Sequence, residues 1–96
     1  MSALAGRVAL VTGAGHRVGR ALALALGGRG MRVVVHFNRS AAGAEETARL
    51  IRAAGGEASL LQADLADLPA AERLIDDTVA LHGALDLLVH SAAMMV

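Results

Sequence analysis

The sequence predicts an α/β fold of the doubly wound class, in which helices cover both faces of a parallel sheet. Short apolar runs rich in valine alternate along the 96 residues with longer segments of helical periodicity. The connections are short, and the first is a glycine-containing turn within residues 8–21, VALVTGAGHRVGRA. Right-handed crossovers then give the expected strand order 3-2-1-4, with a ligand crevice at the carboxyl ends of strands one and four.

Each strand is predicted from an apolar run that ends at a turn. We expect strands at residues 7–12, 31–37, 57–62 and 85–89. The fourth strand would be an apolar edge unless further chain continued the sheet, so the fold is expected to be incomplete within these residues.

Each helix is predicted from apolar residues that recur on one face. The first begins at Arg17, and its inward face is expected to comprise Val18, Ala21, Leu22, Ala25 and Leu26. Ser40 is the expected N-cap of the second helix, which runs to about residue 54 and has Glu45 and Arg49 at a supporting spacing. The third has Pro69 in its first turn, and its predicted face is Leu68, Ala71, Ile75 and Val79.

Three glycines after the first strand predict a phosphate-binding turn. Gly13 permits a sharp turn and a close backbone approach, Gly15 keeps side-chain bulk out, and Gly19 lets the helix pack near the strand. The first N–H groups of the helix have no intrahelical partner, and the positive end of its dipole faces the turn. An anion is expected there, and in Rossmann-type folds it is usually a dinucleotide pyrophosphate.

The composition excludes several classes of function. There is no cysteine, so neither a disulfide framework nor a thiolate metal site is expected, and the four histidines lack metal-ligand spacing. A single aromatic residue disfavours nucleic-acid binding by base stacking. No apolar run reaches the ~18 residues of a membrane span. We therefore expect no metal, nucleic-acid or membrane partner, and a cytoplasmic location.

Three motifs, in order, resemble the N-terminal half of the short-chain dehydrogenases/reductases. Residues 12–19, TGAGHRVG, are similar to the fingerprint T-G-x-x-x-G-x-G, with Arg17 in place of the middle glycine. Asp64 and Leu65 resemble the family's adenine-contacting pair. Residues 88–93, LVHSAA, resemble a segment that usually ends N-N-A-G and lies along the cofactor. The resemblance covers essentially the whole chain, and Arg17 with the turn HFNRS looks like the pteridine-reductase branch.

The end of the second strand favours NADP(H) over NAD(H). An NAD site has an acid there to hold the ribose 2′-OH, whereas residues 36–40 read HFNRS and no acid precedes Glu45. Arg39 would grip a 2′-phosphate bidentately, with Ser40 and Arg17 as further donors. The predicted cofactor-binding residues are Gly13, Gly15, His16, Arg17, Val18, Gly19, His36, Asn38, Arg39, Ser40, Asp64, Leu65, Ser91, Ala92 and Ala93.

The resemblance also implies a catalytic Tyr in a Y-x-x-x-K motif, but the sequence contains neither Tyr nor Lys, and no catalytic residue is assigned. We interpret residues 1–96 as the NADP-binding half of a longer oxidoreductase that transfers hydride between nicotinamide and a carbonyl, alcohol or pterin-like substrate. The resemblance implies that the complete enzyme is a homo-oligomer. The alternatives are a stand-alone nucleotide-binding or regulatory module without chemistry, and a remnant of a truncated gene.

Overall fold

The computed structural model describes residues 3–15 and 17–91, and it contains four strands and three helices in alternation. The strands pair in parallel in the order β3-β2-β1-β4, which confirms the predicted class and strand order. In chain order the elements are β1 (Val8–Thr12), α1 (Arg17–Gly28), β2 (Arg32–Phe37), α2 (Ala41–Ala53), β3 (Glu57–Gln62), α3 (Leu68–His82) and β4 (Leu87–His90).

The two central strands are buried on both faces, as expected for a doubly wound sheet. Alternate side chains point to opposite faces, so each strand contributes to two layers of core. On one face Ala9, Val11, Val33 and Val35 pack with residues of α1 and α2. On the other face Val8, Leu10 and Val34 pack with Leu74 of α3.

The inward face of α1 is not the one that the apolar pattern predicted. Val18 is 67% exposed and Leu22 37% exposed, whereas the buried residues are Gly19, Ala23 and Gly27. These small residues lie four apart, on one face of the helix. They allow α1 to approach its neighbours closely: a β-carbon on Gly27 would lie 3.0 Å from Cγ2 of Ile51 in α2. Small size, rather than hydropathy, therefore decides which face of α1 packs inward.

Helix α3 also presents large apolar residues outward. Its buried residues are Leu74 and Thr78, whereas Leu68 of the predicted inward face is 70% exposed, and Ile75 and Val79 are each 41% exposed. Within the described residues, no helix combines the length and the hydropathy that a membrane span requires.

In α2 the predicted ion pair forms with a different partner. Arg49 contacts Glu46, three residues earlier, at 2.7 Å from Nε to Oε1 and 2.6 Å from Nη2 to Oε2, rather than Glu45. The bidentate contact holds the pKa of the Glu46 carboxyl below its ordinary value. Both side chains are well exposed, so the pair contributes little to stability.

Strand β4 starts later than predicted because Asp86 is used to hold the start of β1. The Asp86 carboxylate accepts a hydrogen bond from the Val8 N–H at 2.8 Å, and the Asp86 N–H donates to the Val8 carbonyl at 2.9 Å. Beyond this point β4 pairs only with β1, and its Leu87 and Leu88 are 37% and 50% exposed. Within the described residues, β4 is thus the apolar edge strand that the sequence predicted.

Gly19→Ala should lower the free energy of unfolding by about 1–3 kcal/mol or more, because overpacking against rigid backbone forces a shift. The added β-carbon would lie 2.2 Å from the carbonyl oxygen of Gly13 and 2.7 Å from Oγ of Ser91. Gly28→Ala is the matched control, since its β-carbon would meet nothing within 4 Å. It should leave stability unchanged or raise it by up to about 1 kcal/mol. Urea unfolding followed by circular dichroism measures both, and equal effects would contradict the argument.

Candidate functional site

Among the described residues of the turn after β1 and of the start of α1, Gly13 and Arg17 lie in the left-handed region of backbone conformation. Gly13 has φ +63° and Arg17 has φ +42°. Glycine adopts this conformation without steric cost, whereas a side chain at Arg17 makes it strained. Arg17 therefore has the backbone conformation that glycine prefers, and its side chain places a cation at the start of α1. Strain of this kind is typical of functional sites.

Two amide groups of this turn bond within the protein, whereas those at the start of α1 are suited to a ligand. The Gly13 N–H donates to Nδ1 of His36 at 3.2 Å, and the Ala14 N–H donates to the His36 carbonyl at 3.2 Å. Both donors are thus used internally. The first N–H groups of α1, which begins at Arg17, have no partner inside the helix and are the ones suited to an anion.

A polar clamp of half-buried Arg20 and buried Thr47, which the sequence did not predict, ties the glycine turn to α2. Arg20 donates from Nε to Oγ1 of Thr47 at 2.9 Å, and from Nη2 to the carbonyls of Gly15 at 3.0 Å and Gly43 at 3.1 Å. The Thr47 hydroxyl lies 2.8 Å from the carbonyl of Ala14. The one feature of the sequence that could have indicated this clamp is Thr47, the single Thr in an alanine-rich helix.

The glycine turn and the end of β2 form one pocket of about 250 Å³, lined by Gly13, Gly15, Phe37, Asn38, Arg39 and Ser40. Arg39 and Ser40 are both exposed. Ser40 occupies the N-cap position of α2, but its side chain makes no capping hydrogen bond, contrary to the cap that the sequence predicted. Its backbone geometry (φ −90°, ψ 69°) departs from the extended conformation usual at an N-cap.

His36 lies behind this pocket and not in its wall. It is 3% exposed, and both ring nitrogens are bonded to the backbone, Nδ1 to Gly13 and Nε2 to the carbonyl of Ala63 at 2.8 Å. Burial lowers the pKa of the His36 imidazole, and the nearby His90 lowers it further, while the bond to Ala63 acts in the opposite direction. The sequence placed His36 among the cofactor-binding residues, but the structure leaves no ring nitrogen free for a ligand.

The end of β4 is tied to the end of β1 by a second polar cluster. The Ser91 hydroxyl donates to the carbonyl of Thr12, and its N–H donates to Oγ1 of Thr12 at 3.1 Å. Nδ1 of His90 lies 2.9 Å from the same Oγ1. Ser91 therefore joins the two strands next to α1. The other predicted residues of this segment, Ala92 and Ala93, lie outside the described residues, as does His16 of the glycine turn.

Asp64 and Leu65 follow β3, two strands away from the glycine turn. Oδ1 of Asp64 accepts a local hydrogen bond from the Ala66 N–H at 3.0 Å, and the side chain is exposed. Leu65 is half-buried and packs against the core on the α3 face. Val18, also predicted to contact cofactor, is exposed in the first turn of α1.

A sequence model of the short chain dehydrogenase family matches residues 7–96. The chain belongs to this family. Versicolorin reductase 1 of Aspergillus parasiticus is 44% identical over 92 residues, which are 96% of this chain and 35% of that protein. The chain thus spans about a third of the length of such relatives.

Two further comparisons concern length and cofactor. The short-chain dehydrogenase/reductase homolog YusS of Bacillus subtilis is 40% identical over 88 residues, which are 92% of this chain and 81% of YusS. The crystal structure of a short chain dehydrogenase from Burkholderia cenocepacia, in complex with NADP, matches 97% of this chain and 38% of that one. Its TM-score is 0.90 and its sequence identity 35%.

Thr47→Val should lower the free energy of unfolding by about 1–3 kcal/mol, because it leaves the Nε–H donor of half-buried Arg20 and the carbonyl of Ala14 without this partner. Thr78→Val is the matched control. Thr78 is equally buried, but its hydroxyl donates only to the carbonyl of Leu74 in its own helix, so the cost should stay below about 1 kcal/mol. Urea unfolding measures the loss in free energy of unfolding for both variants, and an equal loss would contradict the stabilising role of the clamp.

Proposed function

We propose that residues 1–96 bind NADP(H) as the nucleotide-binding half of an oxidoreductase. The observation that carries this proposal is the pocket in which the glycine turn meets an acid-free end of β2, with Arg39 and Ser40 in its wall. A dinucleotide needs both parts, since the turn suits its pyrophosphate and the strand end suits its adenosine ribose.

The charges around the pocket favour a 2′-phosphate over a free 2′-hydroxyl. No Asp or Glu precedes Glu45, so no carboxylate in this part of the sequence repels a phosphate or accepts from a ribose hydroxyl. Arg39 offers a planar pair of donors, and Arg17 adds a second cation from the start of α1. The Ser40 hydroxyl, which does not cap α2, is available as a further donor.

The rest of the cofactor would lie along the carboxyl ends of the strands. Gly15, Val18 and Gly19, with His16, would border the pyrophosphate. Oδ1 of Asp64 accepts from the Ala66 N–H, so the other carboxylate oxygen would accept from the adenine amino group, and the backbone of Leu65 would share this contact. Ser91, Ala92 and Ala93 would follow the cofactor toward the nicotinamide.

The complete protein is proposed to reduce a carbonyl compound, or oxidise the corresponding alcohol, by hydride transfer, which the nicotinamide supplies when bound. The residues of this chain bind and orient the cofactor. The resemblance of Arg17 and the turn HFNRS to the pteridine-reductase branch supports a pterin-like substrate as the narrower choice. The Tyr and Lys that the family resemblance implies are not in these 96 residues, so the acid is assigned to the remainder of such an enzyme.

The second candidate is a nucleotide-binding module without catalysis. It is favoured by one observation, the similarity to the short protein YusS, of which the match covers 81%. The two candidates share the cofactor site and differ only in whether substrate is turned over.

NADP⁺ should bind at least about ten-fold more tightly than NAD⁺, because charge-assisted hydrogen bonds to a phosphate contribute about 1.5–3 kcal/mol. Arg39→Asp should abolish or reverse this preference, since it removes a cation and adds a repelling anion. Arg29→Asp is the matched control: it makes the same change of charge at an exposed site between α1 and β2, at the opposite end of the sheet. Isothermal titration calorimetry measures all three proteins, and equal affinities of the unmodified protein for both nucleotides would refute the assignment.

The 96 residues alone should bind NADP(H) without turning over substrate. Their hydroxyl side chains belong only to Ser and Thr, and no Lys is present to lower the pKa of an acid. The measurement is NADPH oxidation over a panel of carbonyl and pterin substrates. Steady turnover by the purified chain would show that another group supplies the proton, whereas turnover only by a longer reading frame with a Y-x-x-x-K motif would favour the enzyme over the module.

A further inference from the structure

His36 connects three segments at the carboxyl end of the sheet. Its ring accepts from the Gly13 N–H at 3.2 Å and donates to the carbonyl of Ala63 at 2.8 Å, while its own carbonyl accepts from the Ala14 N–H at 3.2 Å. One residue of β2 thus fixes two successive amides of the glycine turn and the residue that follows β3. Its ring is buried, so these bonds are shielded from bulk solvent.

These contacts determine the protonation state of the ring. A carbonyl oxygen can only accept, so Nε2 must carry a hydrogen and donate to Ala63. The Gly13 N–H can only donate, so Nδ1 must be unprotonated. A second proton would put an N–H on Nδ1 directly opposite the N–H of Gly13. One of the two groups would then have to move.

We propose that His36 is a positioning residue for the dinucleotide turn: its neutral ring holds Gly13 in the binding conformation, and protonation releases the turn and weakens cofactor binding. The cofactor part of this inference rests on the proposed function. The part that concerns the conformation of the glycine turn rests on the hydrogen bonds of His36 alone.

The surroundings of the ring favour the neutral form at neutral pH. Among the described residues of the segments that meet here, the ionisable side chains are Arg17 and Arg20 in the first turn of α1, Arg39 after β2, Asp64 after β3 and His90 at the end of β4. His16 of the glycine turn lies outside the described residues. Among the described residues, His90 is the one whose charge acts on His36, and it opposes a second positive charge. Burial is the larger cause of the lowered pKa.

The sign of the pH effect follows from this direction. The pKa of His36 lies below its ordinary value of 6.5, so the unfolded chain takes up a proton before the folded one does. The contribution of His36 to stability is complete above 6.5 and is lost as the pH falls toward the folded pKa. The turn should loosen at the lower end of this range and below it, where the folded ring itself becomes protonated.

The experiment compares the protein with two variants by NMR and calorimetry. His36→Asn keeps an acceptor near the position of Nδ1 and does not titrate, whereas His36→Leu removes the acceptor. In the unmodified protein, the Gly13 amide signal should shift with the same pKa as the His36 ring, and that shift should be absent in His36→Asn. At pH 7.5, NADP⁺ should bind the Asn variant nearly as well as the unmodified protein, and the Leu variant about ten-fold more weakly.

About one pH unit below the His36 pKa that the NMR titration gives, the unmodified protein should have lost about five-fold or more in NADP⁺ affinity relative to His36→Asn, compared with pH 7.5, a coupling in the usual range. Because both proteins are titrated with the same nucleotide, the protonation of its own phosphate cancels in the comparison. A Gly13 amide that does not follow the ring, or equal pH profiles for the two proteins, would overturn the inference. If the Gly13 amide signal titrates with the His36 ring but the protein binds no NADP⁺ at any pH, the proposed function is refuted. The role of His36 in positioning the glycine turn is then still supported.

Discussion

The close approach of α1 to β1 is the constraint on which the rest of this structure depends. A β-carbon at Gly19 would lie 2.2 Å from the carbonyl oxygen of Gly13, so only glycine permits the observed distance. This contact brings the first turn of α1 to the carboxyl end of β1. It also places the first N–H groups of the helix, which have no partner within the helix, next to the end of β2, because β1 and β2 are neighbours in the sheet. The pocket lined by Gly13, Arg39 and Ser40 follows from that arrangement.

A turn held so close to a strand must satisfy its own backbone groups, and the three polar side-chain clusters do this. His36 bonds the amide of Gly13, the pair of Arg20 and Thr47 bonds the carbonyls of Ala14 and Gly15, and Ser91 bonds the carbonyl of Thr12. Among the described residues, no buried side-chain nitrogen or oxygen lacks a partner. His36 lies in β2, Thr47 in α2 and Ser91 directly after β4, so these three parts of the chain all help to shape a turn that lies between β1 and α1.

The sequence predicted the strands, their order and the glycine turn, because these depend on local pattern and on general rules of chain topology. It did not predict the packing of α1 correctly. An apolar periodicity selects the largest hydrophobic residues, whereas this interface is built from Gly19, Ala23 and Gly27, whose value lies in their small size. The polar clusters were missed for another reason. Apart from the bond of Arg20 to Gly15, their partners are 23 to 79 residues apart, and no spacing rule connects such distant positions.

In the proposed site, one set of residues shapes the glycine turn and a different set selects the nucleotide. The turn is shaped by buried groups such as His36 and Thr47, which contribute to the fold as well as to the site. The choice of nucleotide is assigned to exposed side chains, Arg39 and Ser40, which make no side-chain hydrogen bond within the described protein. Replacing an exposed cation changes the local charge without disturbing the core, whereas replacing a buried hydrogen-bonding group leaves its partner unsatisfied. Cofactor preference can therefore change by substitution at the end of β2 while the glycine turn and its supporting residues stay the same.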